Sequence, residues 1–291
     1  MSSASDYAPL LNAFLQGLRE LGYEDGRNIR IEYRWAEGRE ERLPDLAQQL
    51  VRLNPRVLVS HAIGVNAAQQ ATSEIPIVMG VSADPVGFGL VKSLAKPGGN
   101  TTGVASQMVD VASKRLELFK EAVPSLRYVA VLSNLAIPAT RAGLKEMGNA
   151  AGTLGIRIRS FGFVDEPVST QAVFASIARD RPDGLLVQPD PITGKHGVPI
   201  ASFALKNGLP SIGGGRYFVV DGGMLSYGGN FFEGWRLAAR YVDKILKGAK
   251  PADLPVEQPT SFELVINKKT ANALRVMIPA SLLLRATEVI Q

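Results

Sequence analysis

Cysteine is absent from the 291 residues. That excludes disulfides, thiolate catalysis and cysteine-ligated zinc. Histidine is scarce, with His61 and His196 the only two copies, and His196 falls in a polar loop. No apolar run approaches the ~18 residues that suggest a membrane span. Charge of one sign is not concentrated either: the net charge is +5, but Arg and Lys are scattered. The basic balance therefore reads as a solvated surface, with no nucleic-acid partner implied. The stretch Met1 to Pro9 lacks a basic start and an apolar core, so it does not read as a signal peptide. What is present is a globular composition, 46% hydrophobic and 20% charged, long enough for two domains.

Apolar periodicity supplies the elements. Asp6 can cap a helix with Pro9 in its first turn, and Leu10, Leu11, Phe14, Leu15, Leu18 and Leu21 mark its inward face. Ile29 to Trp35 alternates apolar and polar residues as a strand does. Glu40 to Leu53 is a second amphipathic helix, Val57 to Ser60 a buried strand, and Ala62 to Ser73 a helix of small residues. Ile75 to Val81 is a buried strand opened by a proline. Val86 to Ala95 is expected to form a short helix, stopped by Pro97-Gly98-Gly99. Strand and helix alternate, the pattern of a parallel sheet covered on both faces.

After the helix from Val111 to Val123 the order begins again. Leu21-Gly22 ahead of Ile29-Arg30-Ile31 matches Leu154-Gly155 ahead of Ile156-Arg157-Ile158. Pro55 before Val57 to Val59 matches Pro182 before Leu185 to Val187, and Ile75-Pro76 matches Leu209-Pro210, at offsets of 133, 127 and 134 residues. The fold class is thus α/β, two similar doubly wound lobes. The expected division is 1–108 with about 228–291 in one lobe and 109–227 in the other, residues 251–291 being assignable to either. One piece is unmatched. The strand Tyr128 to Ser133 opens the second half, and nothing strand-like precedes the first helix. The gap is expected to be filled, either by a strand and export signal encoded upstream or by another segment or chain, which would make a dimer.

Several stretches together resemble a known family. They are Gly17-Leu-Arg-Glu-Leu-Gly-Tyr23, Asn28 to Gly38, Arg42-Leu-Pro-Asp-Leu-Ala47, Asp84-Pro85, Lys96-Pro-Gly-Gly-Asn100, Lys114-Arg-Leu-Glu-Leu118, Gly222 to Gly228, Tyr241 to Gly248 and Phe262 to Asn267. They are similar to the tryptophan/tyrosine ABC-transporter substrate-binding proteins over nearly the whole chain. The resemblance implies a type I periplasmic binding protein-like fold with a ligand cleft between the lobes. It also implies a small aromatic ligand, an ABC permease with its ATPase as partners, a periplasmic location, a monomer or dimer, and no cofactor. The chain departs from the family in having Ser60-His-Ala-Ile-Gly64 where many members carry a small pair such as Gly-Thr.

Ligand sites in such sheets lie at the carboxyl ends of strands. That selects Ser60 and His61 after one strand, and Ser82, Ala83 and Asp84 after the next. His61 can donate to a carboxylate or stack on a ring. Asp84 can pair with an amine or cap the helix expected from Val86, whose free N–H groups would favour an anionic ligand group. Asn134, Asp190 and Gly213 hold the equivalent places in the second lobe, and Tyr227 can stack on an aromatic ligand. A hydrolase reading rests on Gly80-Val-Ser82-Ala-Asp84, a nucleophile elbow whose last glycine is replaced. Ser82 would need His61 as base and Asp190 to orient it, and no spacing supports that arrangement. A transcription regulator would need a helix-turn-helix, for which nothing precedes the first α/β helix.

Overall fold

A computed structural model describes residues 4–37, 39–61, 63–106, 111–164, 167–258 and 261–291. The chain divides into two compact units, residues 1–106 with 231–260, and residues 107–230 with 261–291.

The first unit holds α1 (Ala4–Glu20), α2 (Leu43–Arg52), β1 (Leu58–Ser60), α3 (Ile63–Ala71), β2 (Ile77–Ser82), β3 (Thr101–Ala105) and α10 (Phe231–Leu246). Its strands form a parallel sheet in the order β1-β2-β3. Every residue of β2 is buried, as a strand covered on both faces must be. Phe14 and Leu18 of α1 and Trp235, Ala238 and Val242 of α10 pack with Val78 on one face. Val65 and Ala68 of α3 pack with Ile77 and Met79 on the other, joined by Leu50 of α2. Helix α1 starts at Ala4, ahead of the expected cap, and carries Pro9 within it. At the α1–α10 crossing a Cβ on Gly17 would stand 2.7 Å from the Arg236 carbonyl oxygen, so glycine sets the approach of the two helices.

Two expectations fail here. Val86 to Ala95 is a series of turns and not a helix. Gly87 and Phe88 donate back to Asp84, Leu90 and Val91 both donate to the Pro85 carbonyl, and Gly89 takes φ +69°, which ends helical propagation. Ile29 to Trp35 keeps its alternation, with Ile29, Ile31, Tyr33 and Trp35 half-buried and Arg30, Glu32 and Arg34 exposed. It is not a strand of the sheet, however; Ile29 forms only an isolated bridge with Asp25.

The second unit contains α4 (Ala112–Ala122), β4 (Tyr128–Ser133), α5 (Pro138–Leu154), β5 (Arg157–Gly162), α6 (Pro167–Asp180) and β6 (Gly184–Val187). It continues with α7 (Pro191–Lys195), α8 (Gly197–Lys206), β7 (Ser211–Gly213), α9 (Arg216–Val220), β8 (Leu225–Gly229), β9 (Phe262–Asn267), α11 (Lys268–Ala273), α12 (Ala280–Arg285) and β10 (Glu288–Ile290). Its sheet has seven strands in the order β10-β9-β8-β7-β6-β4-β5. β4 lies at the interior, parallel to β5 from Tyr128↔Arg157 to Ser133↔Gly162 and to β6 from Val129↔Gly184 to Leu132↔Val187. The Asp183 carboxylate accepts from the Arg127 and Tyr128 amides and pins the start of β4.

Residues 261–291, which the sequence left assignable to either lobe, group with this unit. β9 pairs antiparallel along β8 from Leu225↔Ile266 to Gly229↔Phe262, and β10 adds a parallel edge. No helix among the described residues is long and apolar enough to cross a membrane.

Candidate functional site

In the first unit the register Ser60↔Met79 sets the end of β1 against the middle of β2, which runs on to Ser82. Ser60 and His61 leave β1, and α3 begins at Ile63. A Cβ on Gly64 would stand 2.5 Å from Ser60 Oγ, so glycine lets the first turn of α3 settle on the strand end. His61 Nδ1 is enclosed, and the imidazole lies tilted against Trp235 with ring centroids 5.8 Å apart. Burial pushes the His61 pKa down to about 4, against a hydrogen bond to the Val81 carbonyl that raises it. His61 is therefore a neutral ring at neutral pH, able to donate and accept, and is not a charge partner for an anion.

Ser82 is the last residue of β2 and only 2% exposed. A nucleophile elbow presents its serine on an exposed turn; here the residue is inside the sheet. Ala83 and Asp84 follow, half-buried. Asp84 Oδ1 accepts from the Gly87 amide at 2.8 Å, closing a turn and not a helix. The anion-binding helix terminus expected at this loop is therefore not formed.

The same unit contains a cavity of about 800 Å³, within the ~300–1,000 Å³ range of ligand pockets. Tyr33, Trp35, Val57, Ser60, His61 and Trp235 are among the residues that line it. Of the expected site residues it takes in Ser60 and His61 but not Ser82, Ala83 or Asp84.

In the second unit Asn134, Asp190 and Gly213 follow or end β4, β6 and β7, three adjacent parallel strands. Asn134 is buried, and its Oδ1 accepts from the Ala136 amide. Asp190 caps α7 through Oδ1, which accepts from the Ile192 and Thr193 amides, while the Thr193 hydroxyl answers the Asp190 amide. Burial raises the Asp190 pKa, and the bonds from Thr193 and Ile192 oppose it. Its Oδ2 is enclosed without a hydrogen-bond partner among the described residues. Gly213 has no room for a side chain, since a Cβ would stand 2.6 Å from the Phe218 ring; at Gly214 one would stand 2.2 Å from Pro189. These glycines draw the strand-end loops together. Tyr227 is half-buried on β8, tilted against Phe262 at 5.8 Å and packed on the unit's core.

Sequence reasoning passed over two residues. Arg115 on α4 is fully buried, donates through Nε to the Tyr227 carbonyl at 3.0 Å, and has no partner for Nη1 or Nη2 among the described residues. Burial lowers its pKa to about 10, with Tyr217 and Tyr227 opposing. The available signal was an arginine on the apolar stripe formed by Ala112, Leu116 and Phe119. Trp235 was legible only as a core residue of its helix, and its contact with His61 joins positions far apart in the chain.

The family model for ABC transporter substrate binding proteins matches residues 8–290. A tyrosine-binding protein of Clostridioides difficile (strain R20291) is 27% identical over 262 residues, covering 90% of this chain and 75% of that one. A conserved domain protein from Vibrio cholerae O1 biovar El Tor is 30% identical with a TM-score of 0.90, covering 99% and 97% of the two chains. An ABC domain from Streptococcus pneumonia, solved with L-Trp, is 26% identical with a TM-score of 0.89 over 100% and 98%. At lower identity the same fold, type I periplasmic binding protein-like, recurs in sugar-type solute-binding proteins and in LacI-family regulators.

Proposed function

The chain belongs to the ABC transporter substrate-binding protein family, and from that premise we propose that it binds an aromatic amino acid or a related aromatic carboxylic acid and hands it unchanged to a permease outside the cytoplasm. The observation that carries the reading is the whole-length likeness to a protein solved with L-Trp; a relative named for tyrosine binding supports it. The chemistry of the strand ends agrees. In the first unit a neutral His61 beside Trp235 offers a flat, partly apolar surface with hydrogen-bonding capacity. In the second unit Asn134, Asp190 and the glycine-lined turn at Gly213 offer polar side chains and closely approachable backbone. Asp190 suits an ammonium group and the amide donors of the loops suit a carboxylate.

A binding role without turnover fits a Ser82 buried in β2 and family relatives that are solute-binding proteins and not hydrolases. The test is a thermal-shift and calorimetry series with L-Trp, L-Tyr, L-Phe, indole-3-acetate and a set of pentoses and hexoses, followed by mass spectrometry of the recovered ligand. The expected outcome is a raised melting temperature with at least one aromatic amino acid, and ligand recovered intact. Binding of a sugar with no aromatic binding overturns the ligand class. Conversion of the ligand that disappears in Ser82→Ala overturns the transport role.

A further inference from the structure

The sheet of the second unit ends in two edge strands, β10 and β5. β10 is only three residues long, and shortness is one way an edge is blunted. β5 has six residues, contains no proline, and pairs with β4 in unbroken register from Tyr128↔Arg157 to Ser133↔Gly162. That ladder fixes which groups face outward. The Arg157 amide donates to the Arg127 carbonyl, and the Phe163 amide to the Ser133 carbonyl. By the alternation of a parallel strand, Arg157, Arg159 and Phe161 turn their N–H and C=O groups to β4. Ile158, Ser160 and Gly162 turn theirs to the open side. Ile158 packs on one core cluster and Phe161 lies in another. The two faces of β5 are thus covered, and its edge is what remains open.

The edge is basic at its amino end. Arg157 and Arg159 are exposed on β5, and Arg127 and Arg181 are exposed just ahead of β4 and β6, the next two strands. Two described carboxylates meet this cluster, and both are engaged. Asp183 accepts from the Arg127 and Tyr128 amides. Asp180 accepts from the Tyr128 hydroxyl and pairs with Arg159. Arg157 instead lies over the Tyr128 ring, 3.9 Å from its centroid. A guanidinium stacked on a ring face keeps its in-plane N–H donors for a carboxylate. The other end of the edge is apolar: a Cβ on Gly162 would meet Leu135 at 3.8 Å, and Leu135 and Val164 are exposed. A second copy of β5 would bring arginine against arginine, which disfavours self-pairing. An acidic strand meets attraction at the same place.

We propose that the β5 edge docks an extended acidic segment of a partner protein, which adds to the seven-stranded sheet by bonding to Ile158, Ser160 and Gly162. Its carboxylates lie beside Arg157 and Arg159, and an apolar residue follows them beside Leu135 and Val164. The arginines stand at the amino ends of the strands, whereas Asn134 and Asp190 stand at the carboxyl ends. Docking and the proposed ligand binding therefore use different parts of the unit.

The probe is the synthetic peptide Ac-Glu-Thr-Glu-Thr-Val-Thr-amide, mixed with the full chain. Amide hydrogen exchange is followed along β5. Exchange should slow by about tenfold or more at Ile158, Ser160 and Gly162, and stay unchanged at Arg159 and Phe161, whose amides are already bonded to β4. Binding should weaken by about tenfold between roughly 50 and 500 mM salt. The same peptide with lysine in place of glutamate should give no protection. Ser160→Pro removes one outward N–H and leaves the β4 ladder whole, so it should abolish binding with the arginines still present. Arg127→Gln with Arg157→Gln should weaken binding with the edge still open. Four outcomes overturn the proposal. One is no protection by the acidic peptide. Another is equal protection by the lysine peptide. A third is protection without peptide that grows with protein concentration, which assigns the edge to a second copy of this chain. The last is adsorption to phosphatidylglycerol vesicles that is lost in the double glutamine variant and kept in Ser160→Pro, without protection by the peptide, which assigns the arginines to a lipid surface.

Discussion

Protonation of His61 should set part of the acid stability of the first unit. The ordinary imidazole pKa of 6.5 falls to about 4 in the folded chain, chiefly through burial. The unfolded chain takes up this proton near pH 6.5, but the folded chain takes it up only near 4. Between those values the unfolded state binds more protons, so stability rises with pH across the window and is independent of His61 above it. At 1.36 kcal/mol per pH unit the full effect is roughly 3 kcal/mol, lost between neutral pH and pH 4. The assay is urea unfolding at intervals from pH 7.5 to 4.5 for the native chain and His61→Gln, read by tryptophan fluorescence. Trp35 and Trp235 are the only tryptophans and both lie in the first unit, so the signal reports on that unit. Titration of Asp190 and Asp221, whose pKa values burial raises, is common to both proteins and cancels in the difference. The native chain should lose about 2 kcal/mol more than His61→Gln over this range, most steeply below pH 6. Parallel curves would refute the reasoning.

Gly103 takes φ +137°, and a Cβ there would stand 2.3 Å from the Met79 carbonyl oxygen. Gly103→Ala should cost at least ~2 kcal/mol, seen as a lower urea midpoint or loss of soluble protein; an unchanged midpoint counts against the close β2–β3 approach. Arg115→Lys keeps the charge but loses the Nε donor to Tyr227. A drop of about 1–3 kcal/mol in stability is expected, measured by circular dichroism on heating, and no change would show that the bond contributes nothing.

The alternation of strand and helix, and the match between the two halves, were legible because burial writes its period directly into the side chains. β4, β5 and β6 carry apolar residues where the sheet needs them. The helix expected at Val86 to Ala95 does not form because Gly87 closes a turn onto Asp84 and Gly89 takes a positive φ that helical backbone does not. Residues 261–291 could not be placed, since the pairing of β9 with β8 spans a helix belonging to the other unit and leaves no local trace. Strand-end logic picked out Ser60, His61, Asn134 and Asp190, which the structure has at or just beyond the ends of β1, β4 and β6. It could not reveal that His61 is held neutral by Trp235 and its surroundings, because enclosure depends on contacts between distant segments. Arg115 was missed because a charged residue within an apolar stripe reads as surface until its burial is known.

The chain passes from one unit to the other three times, near residues 106, 230 and 260. Neither unit is a contiguous stretch of polypeptide. As the ribosome releases the chain, the first unit must wait for α10, whose Trp235 and Ala238 fill its core. The second must wait for β9 and β10, the last strands made. Almost the whole polypeptide must therefore be made before either core can close.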